Sequence, residues 1–257
     1  MPSLPLALID RLFAPAPPPP RVAWLRGKQF AHRGLNGPGT PENSLSAASA
    51  AIARGLGIEC DVQKSSDGTA VVFHDWELDR LTGETGPVGA RSAEALRRII
   101  LNGSTDRIPS LRELLGLVRG LVPVLIEVKS KREKRDVPLC LAVRRVLEGY
   151  RGPHAVMSFD PRVVRWYRRH SPNTLRGLVV TEENARTFPW LLYRHWCLWH
   201  AQPDFLAYDV RDLPSRFAAA QRARGIPVLA WTVRSPELRE VATRFADVPI
   251  AEGAGVS

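Results

Sequence analysis

At 257 residues the chain has the length of one α/β barrel and is short for two domains of ordinary size. A hydrophobic content of 44% with 24% charged residues describes a globular chain rather than a disordered or fibrous one. The formal net charge of +10 favours anionic partners (phosphorylated small molecules, acidic headgroups or nucleic acid) without choosing among them.

The chain opens MPSLPLALIDRLFAPAPPPP. Its apolar run is short, is interrupted by Asp10 and follows no basic region, so it does not read as a secretion signal. Four consecutive prolines favour an extended polyproline segment, and residues 1 to about 25 are expected as a proline-rich arm outside the core. No run of about 18 apolar residues follows, so no spanning helix is expected. Cys60, Cys140 and Cys197 are far apart and lack CxxC spacing. They argue against zinc and for a reducing compartment, hence a cytoplasmic location.

From residue 26 to 257 short apolar runs alternate with helical patterns. The runs KQFAHR (28–33), GIECDV (57–62), PVLIEVK (123–129), HAVMSF (154–159), LRGLVV (175–180), DFLAYDV (204–210), PVLAWTV (227–233) and DVPIAEG (247–253) predict strands. ENSLSAASAAIARG, SLRELLGLVRG, DVPLCLAVRRVLEG, PRVVRWYRRH and PSRFAAAQRARG predict helices between them. About eight strands alternating with helices predict an α/β fold of the (β/α)8 TIM-barrel class. An open doubly wound sheet is disfavoured because no GxGxxG follows the first strand.

TAVVFHD (69–75) does not fit this alternation. It follows GIECDV too soon for a parallel crossover, and Asp67-Gly68 supplies a hairpin turn. The hairpin is expected to set His74 roughly opposite Asp61.

Side chains alternate along a strand, so Glu59 and Asp61 share one face, as do Glu127 and Lys129. His32 and Arg33 end the first strand, and Glu42 lies in the loop after it. In a barrel the C-terminal strand ends form the active site. Taken singly, Glu59 and Asp61 read as surface residues of an edge strand, His74 as a structural histidine, and Glu127 with Lys129 as an exposed ion pair. Together, four carboxylates call for a hard divalent cation, Mg²⁺ or Ca²⁺. Arg33 and Lys129 suit phosphate oxygens, and two histidines suit proton transfer near neutral pH. This set describes cleavage of a phosphate ester.

The motifs AHRG (31–34), PENS (41–44), IECDVQKSSDG (58–68), VVFHDWELDRLTGETGPV (71–88), IPSLRELL (108–115), LIEVKS (125–130), VMSFDP (156–161) and LAWTVRS (229–235) resemble, in order, those of the glycerophosphodiester phosphodiesterases. That resemblance implies a TIM barrel of the phospholipase C-like phosphodiesterase type. It implies divalent-metal-dependent hydrolysis of a small-molecule glycerophosphodiester to glycerol 3-phosphate and an alcohol. It carries Glu59, Asp61 and Glu127 onto metal-ligand positions and Glu42 onto an acidic position at or near the metal. His32 and His74 match the acid/base pair, and Arg33 and Lys129 the phosphate-binding positions. Residues from Asp75 to about Ile108 match an insertion over the mouth that helps hold the glycerol end. Ser44 stands where threonine is usual, and Glu252 has no implied role.

Other stretches stay open. Trp231 reads either as a substrate-binding residue on the apolar wall of the pocket or as core packing. WLLYRHWCLWH (190–200) reads as a helix packed on the barrel, or as an exposed aromatic face in peripheral contact with a membrane. KSKREKRD (129–136) reads as a solvated basic turn. Two further activities compete: a lysophospholipase D-type reaction on a lipid substrate, and a non-catalytic basic protein that binds membrane or nucleic acid. The retained acids and histidines argue against nucleic acid as a partner. Oligomeric state is not readable from these patterns.

Overall fold

The computed structural model describes residues 4–131, 137–183 and 188–256. In chain order these form α1 (Leu4–Phe13), β1 (Phe30–Ala31), α2 (Leu45–Ala53), β2 (Gly57–Lys64), β3 (Ala70–Val72), α3 (Leu111–Val118), β4 (Val124–Val128), α4 (Val137–Leu147) and β5 (His154–Ser158). There follow α5 (Pro161–His170), β6 (Leu175–Val180), α6 (Phe188–Ala201), β7 (Phe205–Asp209), α7 (Arg216–Ala223), β8 (Val228–Val233), α8 (Pro236–Phe245) and β9 (Val248–Ala251). The chain divides into two compact units, residues 30–154 and residues 1–29 with 155–257. The first holds three parallel strands and the second five, with helices between them. This is the eight-strand (β/α)8 barrel class that the strand count predicts, and β3 is the antiparallel exception.

In the unit 30–154, β2 pairs in parallel with β1 and with β4, setting Asp61 beside Glu127. Ile58, Cys60 and Val62 pack on one face of β2, and Glu59, Asp61 and Gln63 occupy the other, also buried. The predicted hairpin forms. Ser65 N donates to Thr69 O at 3.0 Å, and Gly68 takes φ +83°, which glycine adopts without a Cβ penalty. Its register is one residue from the expectation. Val62 faces Val72, and Phe73 N donates to Asp61 O at 3.0 Å, so Phe73 rather than His74 is opposite Asp61. Ser44 caps α2 by accepting from Ala47 N, and Ser110 with Glu113 forms a capping box on α3.

The insertion has little regular structure but its own small core. Leu78, Val88, Leu96, Ile99, Leu101 and Ile108 pack with Val71 and Phe73 of the hairpin. Within the basic run the exposed Lys131 lies over the Trp76 ring of the insertion at 4.6 Å. Residues 132–136 of that run lie outside the described residues.

In the other unit β5 to β9 pair as parallel neighbours in sequence order. Here the structure corrects the expectation of a detached arm. Residues 4–13 are helical, and Ala14 is part of the hydrophobic core with Leu198, Phe217 and Ala218. Asp10, which reads as a break in an apolar run, is a buried acceptor. Its carboxylate takes Trp199 Nε1–H at 2.7 Å, Gln221 Nε2–H at 2.7 Å and His195 Nδ1–H at 2.8 Å. Arg21 beyond the prolines donates to Asp204 at 2.9 and 3.0 Å and to the carbonyls of Pro172 and Thr174. The polyproline stretch therefore joins two anchored points instead of projecting outward. Among the described residues no helix is long and apolar enough to cross a membrane.

Candidate active site

β2 and β4 bring three carboxylates together. Glu59, Asp61 and Glu127 each offer an oxygen within 4.8 Å of the others, and all three residues are buried. Like charges this close cannot all ionise without compensation. Lys129, just past β4, supplies part of it, with Nζ 2.9 Å from Asp61 Oδ1 and 2.8 Å from Glu127 Oε1. Burial works to raise the Asp61 carboxyl, but Lys129, His74 and Arg33 outweigh it and hold it below the ordinary range. Glu127 goes the other way, raised first by burial and then by Asp61, in spite of Lys129. Glu59 is driven well above the ordinary range by burial, by Asp61 and by Glu127. What Glu59 accepts is the backbone N–H of Arg33 at 3.0 Å, and the His32 ring lies 4.0 Å away.

An all-oxygen set of three buried carboxylates fits a divalent cation such as Mg²⁺ or Ca²⁺. The raised Glu59 and Glu127 carboxyls mark where further positive charge would be stabilising.

The turn after β1 is shaped to aim Arg33 at this cluster. Arg33 takes φ +57°, outside the usual region for a side-chain-bearing residue, and Asn43 across the loop takes φ +58°. Asn43 N donates to Arg33 O at 2.8 Å, which ties the two together. The Asn43 side chain clamps Asp61 from both sides, donating to Oδ2 at 3.0 Å and accepting the Asp61 backbone N–H at 3.2 Å. Gly34 follows because a Cβ there would meet Ala47 at 2.8 Å. Arg33 Nη1 donates to Glu42 Oε1 at 2.7 Å. Its Nε lies 3.3 Å from Asp61 Oδ2 but off the line of a hydrogen bond.

Glu42 stands apart from the three clustered acids. It is gripped by Arg33 and by Arg80, whose Nη1 and Nη2 donate to it at 3.0 and 2.8 Å. Burial opposes its ionisation, but Arg80 and Arg33 hold its carboxyl below the ordinary range. Arg80 also donates to Asp75 at 2.5 and 3.0 Å, and Asp75 is paired with His74 Nδ1 at 2.6 Å. Arg80 first, and then His74, bring the Asp75 carboxyl down to about 2. With the Nδ1 proton pointed at Asp75, His74 has Nε2 left as its lone-pair nitrogen. Burial lowers the His74 imidazole below its ordinary pKa, helped by Lys129 and Arg33 and opposed by Asp61 and Asp75.

Sequence reasoning missed Asn43, Gln63, Asp75 and Arg80. Gln63 is buried, and its Nε2 donates to the carbonyls of Phe73 at 3.0 Å, His74 at 3.1 Å and Asp75 at 2.5 Å. It holds the segment that carries His74. Its position was readable: it shares the β2 face of Glu59 and Asp61, two residues on. Trp231 belongs to the other unit, on β8. Its Nε1–H donates to Ala207 O at 2.9 Å, and its half-buried ring meets Phe159 edge-on at 5.5 Å. Glu252 pairs with Arg234 at 2.5 Å.

A family model described as the glycerophosphoryl diester phosphodiesterase family matches residues 32–256. Glycerophosphodiester phosphodiesterase 1 of Rattus norvegicus is 35% identical over 276 residues, covering 90% of this chain and 80% of that protein. A probable glycerophosphodiester phosphodiesterase 2 of Mycobacterium tuberculosis is 30% identical over 241 residues, covering 85% of each. Among solved structures, an Oleispira antarctica phosphodiesterase in complex with the product sn-glycerol-3-phosphate superposes with a TM-score of 0.77. It is 24% identical, over 88% of this chain and 93% of that one, which speaks to the fold.

Proposed function

The chain belongs to the glycerophosphoryl diester phosphodiesterase family and is a phosphoric diester hydrolase, and from that premise we propose how its residues divide the work. The reaction is hydrolysis of a glycerophosphodiester to glycerol 3-phosphate and an alcohol. The observation that carries the reading is the buried triad of Glu59, Asp61 and Glu127 with Lys129 and Arg33 against it. The triad is the proposed seat of the Mg²⁺ or Ca²⁺, and Glu42 is kept as a fourth acid at its edge. Held by these carboxylates, a divalent cation would supply positive charge against the negative charge that develops on the phosphate in the transition state.

Arg33 and Lys129 are the proposed phosphate clamp. Both already point at the acids, so an anionic phosphate enters among donors that are in place. His74 is suited to accept a proton at Nε2 from the attacking oxygen, because Asp75 fixes its tautomer and its pKa is lowered. His32 is left to protonate the leaving alkoxide. The attacker is water or the neighbouring glycerol hydroxyl, and both routes use this pair. The role of Trp231 in binding substrate is a proposal that rests on the sequence pattern, and the cytoplasmic location rests on three free cysteines. A lysophospholipase D-type reaction on a lipid substrate is the second reading, which exposed apolar residues near the mouth would favour.

The test incubates purified protein with several glycerophosphodiesters and lysophospholipids in Ca²⁺, Mg²⁺ or EDTA and measures glycerol 3-phosphate or lysophosphatidic acid. Product is expected only with a divalent cation, and Glu59→Ala is expected to abolish it. Full activity of Glu59→Ala after metal stripping and re-addition would overturn the assignment.

A further inference from the structure

Helix α6 is apolar on two sides. One side, with Leu198, Ala201 and the buried His195, faces the core of its unit. The other carries Trp190, Tyr193 and Trp196, which are 40%, 38% and 45% exposed. Their rings touch in series. Trp190 meets Tyr193 edge-on at 5.5 Å, Tyr193 stacks on Trp196 at 5.7 Å, and Trp196 stacks on His200 at 4.8 Å. Spacings of three, three and four residues keep the four rings on one stripe. Helix α1 packs beside α6, with the Phe13 ring 6.0 Å from that of Trp199. It turns Leu8, Leu12 and Phe13 outward.

A surface helix ordinarily gives its outer face to charged and polar residues. Single exposed apolar side chains need no explanation, but a contiguous apolar stripe does. Tryptophan and tyrosine join an apolar body to a polar edge, and they concentrate where hydrocarbon meets headgroups.

The stripe has basic neighbours. Helix α5 packs against α6 and carries Arg165, Arg168 and Arg169. Partial burial, and then Arg165 and Arg169 of the packed helix, hold the His200 imidazole at the end of the stripe below its ordinary pKa. Among the described residues none of the three arginines has a carboxylate partner, and the nearby Asp160 is taken up by Arg162. Helix α1 adds Arg11. An aromatic stripe with unpaired arginines along it matches the boundary of an anionic membrane in both polarity and charge.

We propose that the outer face of α6, with the exposed edge of α1, docks on the surface of an anionic lipid bilayer. The rings of Trp190, Tyr193 and Trp196 lie at the headgroup boundary, and Arg165 and Arg169 lie against lipid phosphates. This goes beyond the hydrolase reading and does not depend on it.

The test is co-sedimentation with vesicles of phosphatidylcholine alone and of phosphatidylcholine with phosphatidylglycerol, at low and high salt. Soluble glycerophosphodiester turnover is measured on the same preparations. The wild-type protein is expected to bind the anionic vesicles, less so in high salt, with a blue shift of tryptophan emission. Trp190→Ser/Tyr193→Ser/Trp196→Ser should weaken binding about tenfold or more. Arg165→Gln/Arg169→Gln, which leaves the aromatic stripe intact, should weaken it about fivefold per charge. Both variants should keep the soluble turnover. The proposal is overturned if the wild-type protein binds neither vesicle, or if both variants bind as it does. It is also overturned if sedimentation velocity shows a dimer that the serine variant abolishes, which would give the face to a second copy of the chain. Vesicle binding without turnover would instead count against the hydrolase reading.

Discussion

Gln63→Leu tests whether the segment bearing His74 is held from β2. The Gln63 amide serves three backbone carbonyls, those of Phe73, His74 and Asp75, inside a buried site. Leucine fills much the same volume but donates nothing. At about 1 kcal/mol net per hydrogen bond, and more for a carbonyl left buried and unpaired, the loss is about 2–4 kcal/mol. For a chain of this size that lowers the melting temperature by about 4–16 °C. The kinetic effect is separate. In its proposed role His74 has to meet the reacting oxygen within hydrogen-bond reach, and a displacement of about 1 Å can cost about a hundredfold in rate. The expected result is a kcat lowered about 10- to 100-fold with KM little changed, because the proposed phosphate clamp of Arg33 and Lys129 is left in place. The assay is steady-state release of glycerol 3-phosphate from glycerophosphocholine, beside thermal melts of the same samples. Gln63→Asn, one methylene too short to reach all three carbonyls, should fall between the two. A Gln63→Leu protein with wild-type kcat and melting temperature would refute the reasoning.

Lys129→Met removes the ammonium between two buried carboxylates, so the melting temperature should fall, by an amount on the order of 3–5 kcal/mol in stability. Added Ca²⁺ or Mg²⁺ should recover more of the melting temperature in this variant than in wild type, which differential scanning fluorimetry reads directly. Arg80→Gln frees Asp75 and Glu42 together. Arg80 is half exposed, so the stability cost should be about 1 kcal/mol or less, and the effect should appear as a several-fold loss of kcat. Asp10→Asn probes pH. Burial works to raise the Asp10 carboxyl, but His195, Gln221 and Trp199 outweigh it and lower its folded pKa. Its stabilisation is therefore complete above the unfolded pKa of about 3.9 and is lost as pH falls through the folded value. The melting gap between wild type and Asp10→Asn should be wide at neutral pH and should close in acid.

Much of the site is legible as alternation. Glu59 and Asp61 on one face of β2, and Glu127 then Lys129 at the end of β4, follow from a side-chain period of two once the strands are recognised. The pairing of Asp61 with Glu127 needs the parallel register, which no local pattern encodes. The hairpin is legible from Asp67-Gly68, but its register is not, because that depends on how the turn closes between Ser65 and Thr69. Asn43 and Arg80 escape notice for a different reason. Their partners Asp61, Glu42 and Asp75 are ordinary acids until tertiary structure brings them within reach. The N-terminal segment misleads because a lone aspartate among apolar residues reads as solvent-facing, whereas three donors far along the chain make it a core residue.

Asp10 and Arg21 also bear on the order in which the protein can be completed during translation. Their side-chain partners lie 183 to 211 residues further along. At about 5–20 residues per second, the ribosome delivers those partners about 10 to 40 s after the segment that needs them. The unit 30–154 is contiguous and emerges whole in that interval. Helix α1, with Asp10 and the adjoining Ala14, must wait meanwhile without its docking site. The nascent chain thus closes from the middle outward. Helix α1 is secured only once residues 195–221 have emerged, and a chaperone that shields an amphipathic helix has a long window of usefulness here.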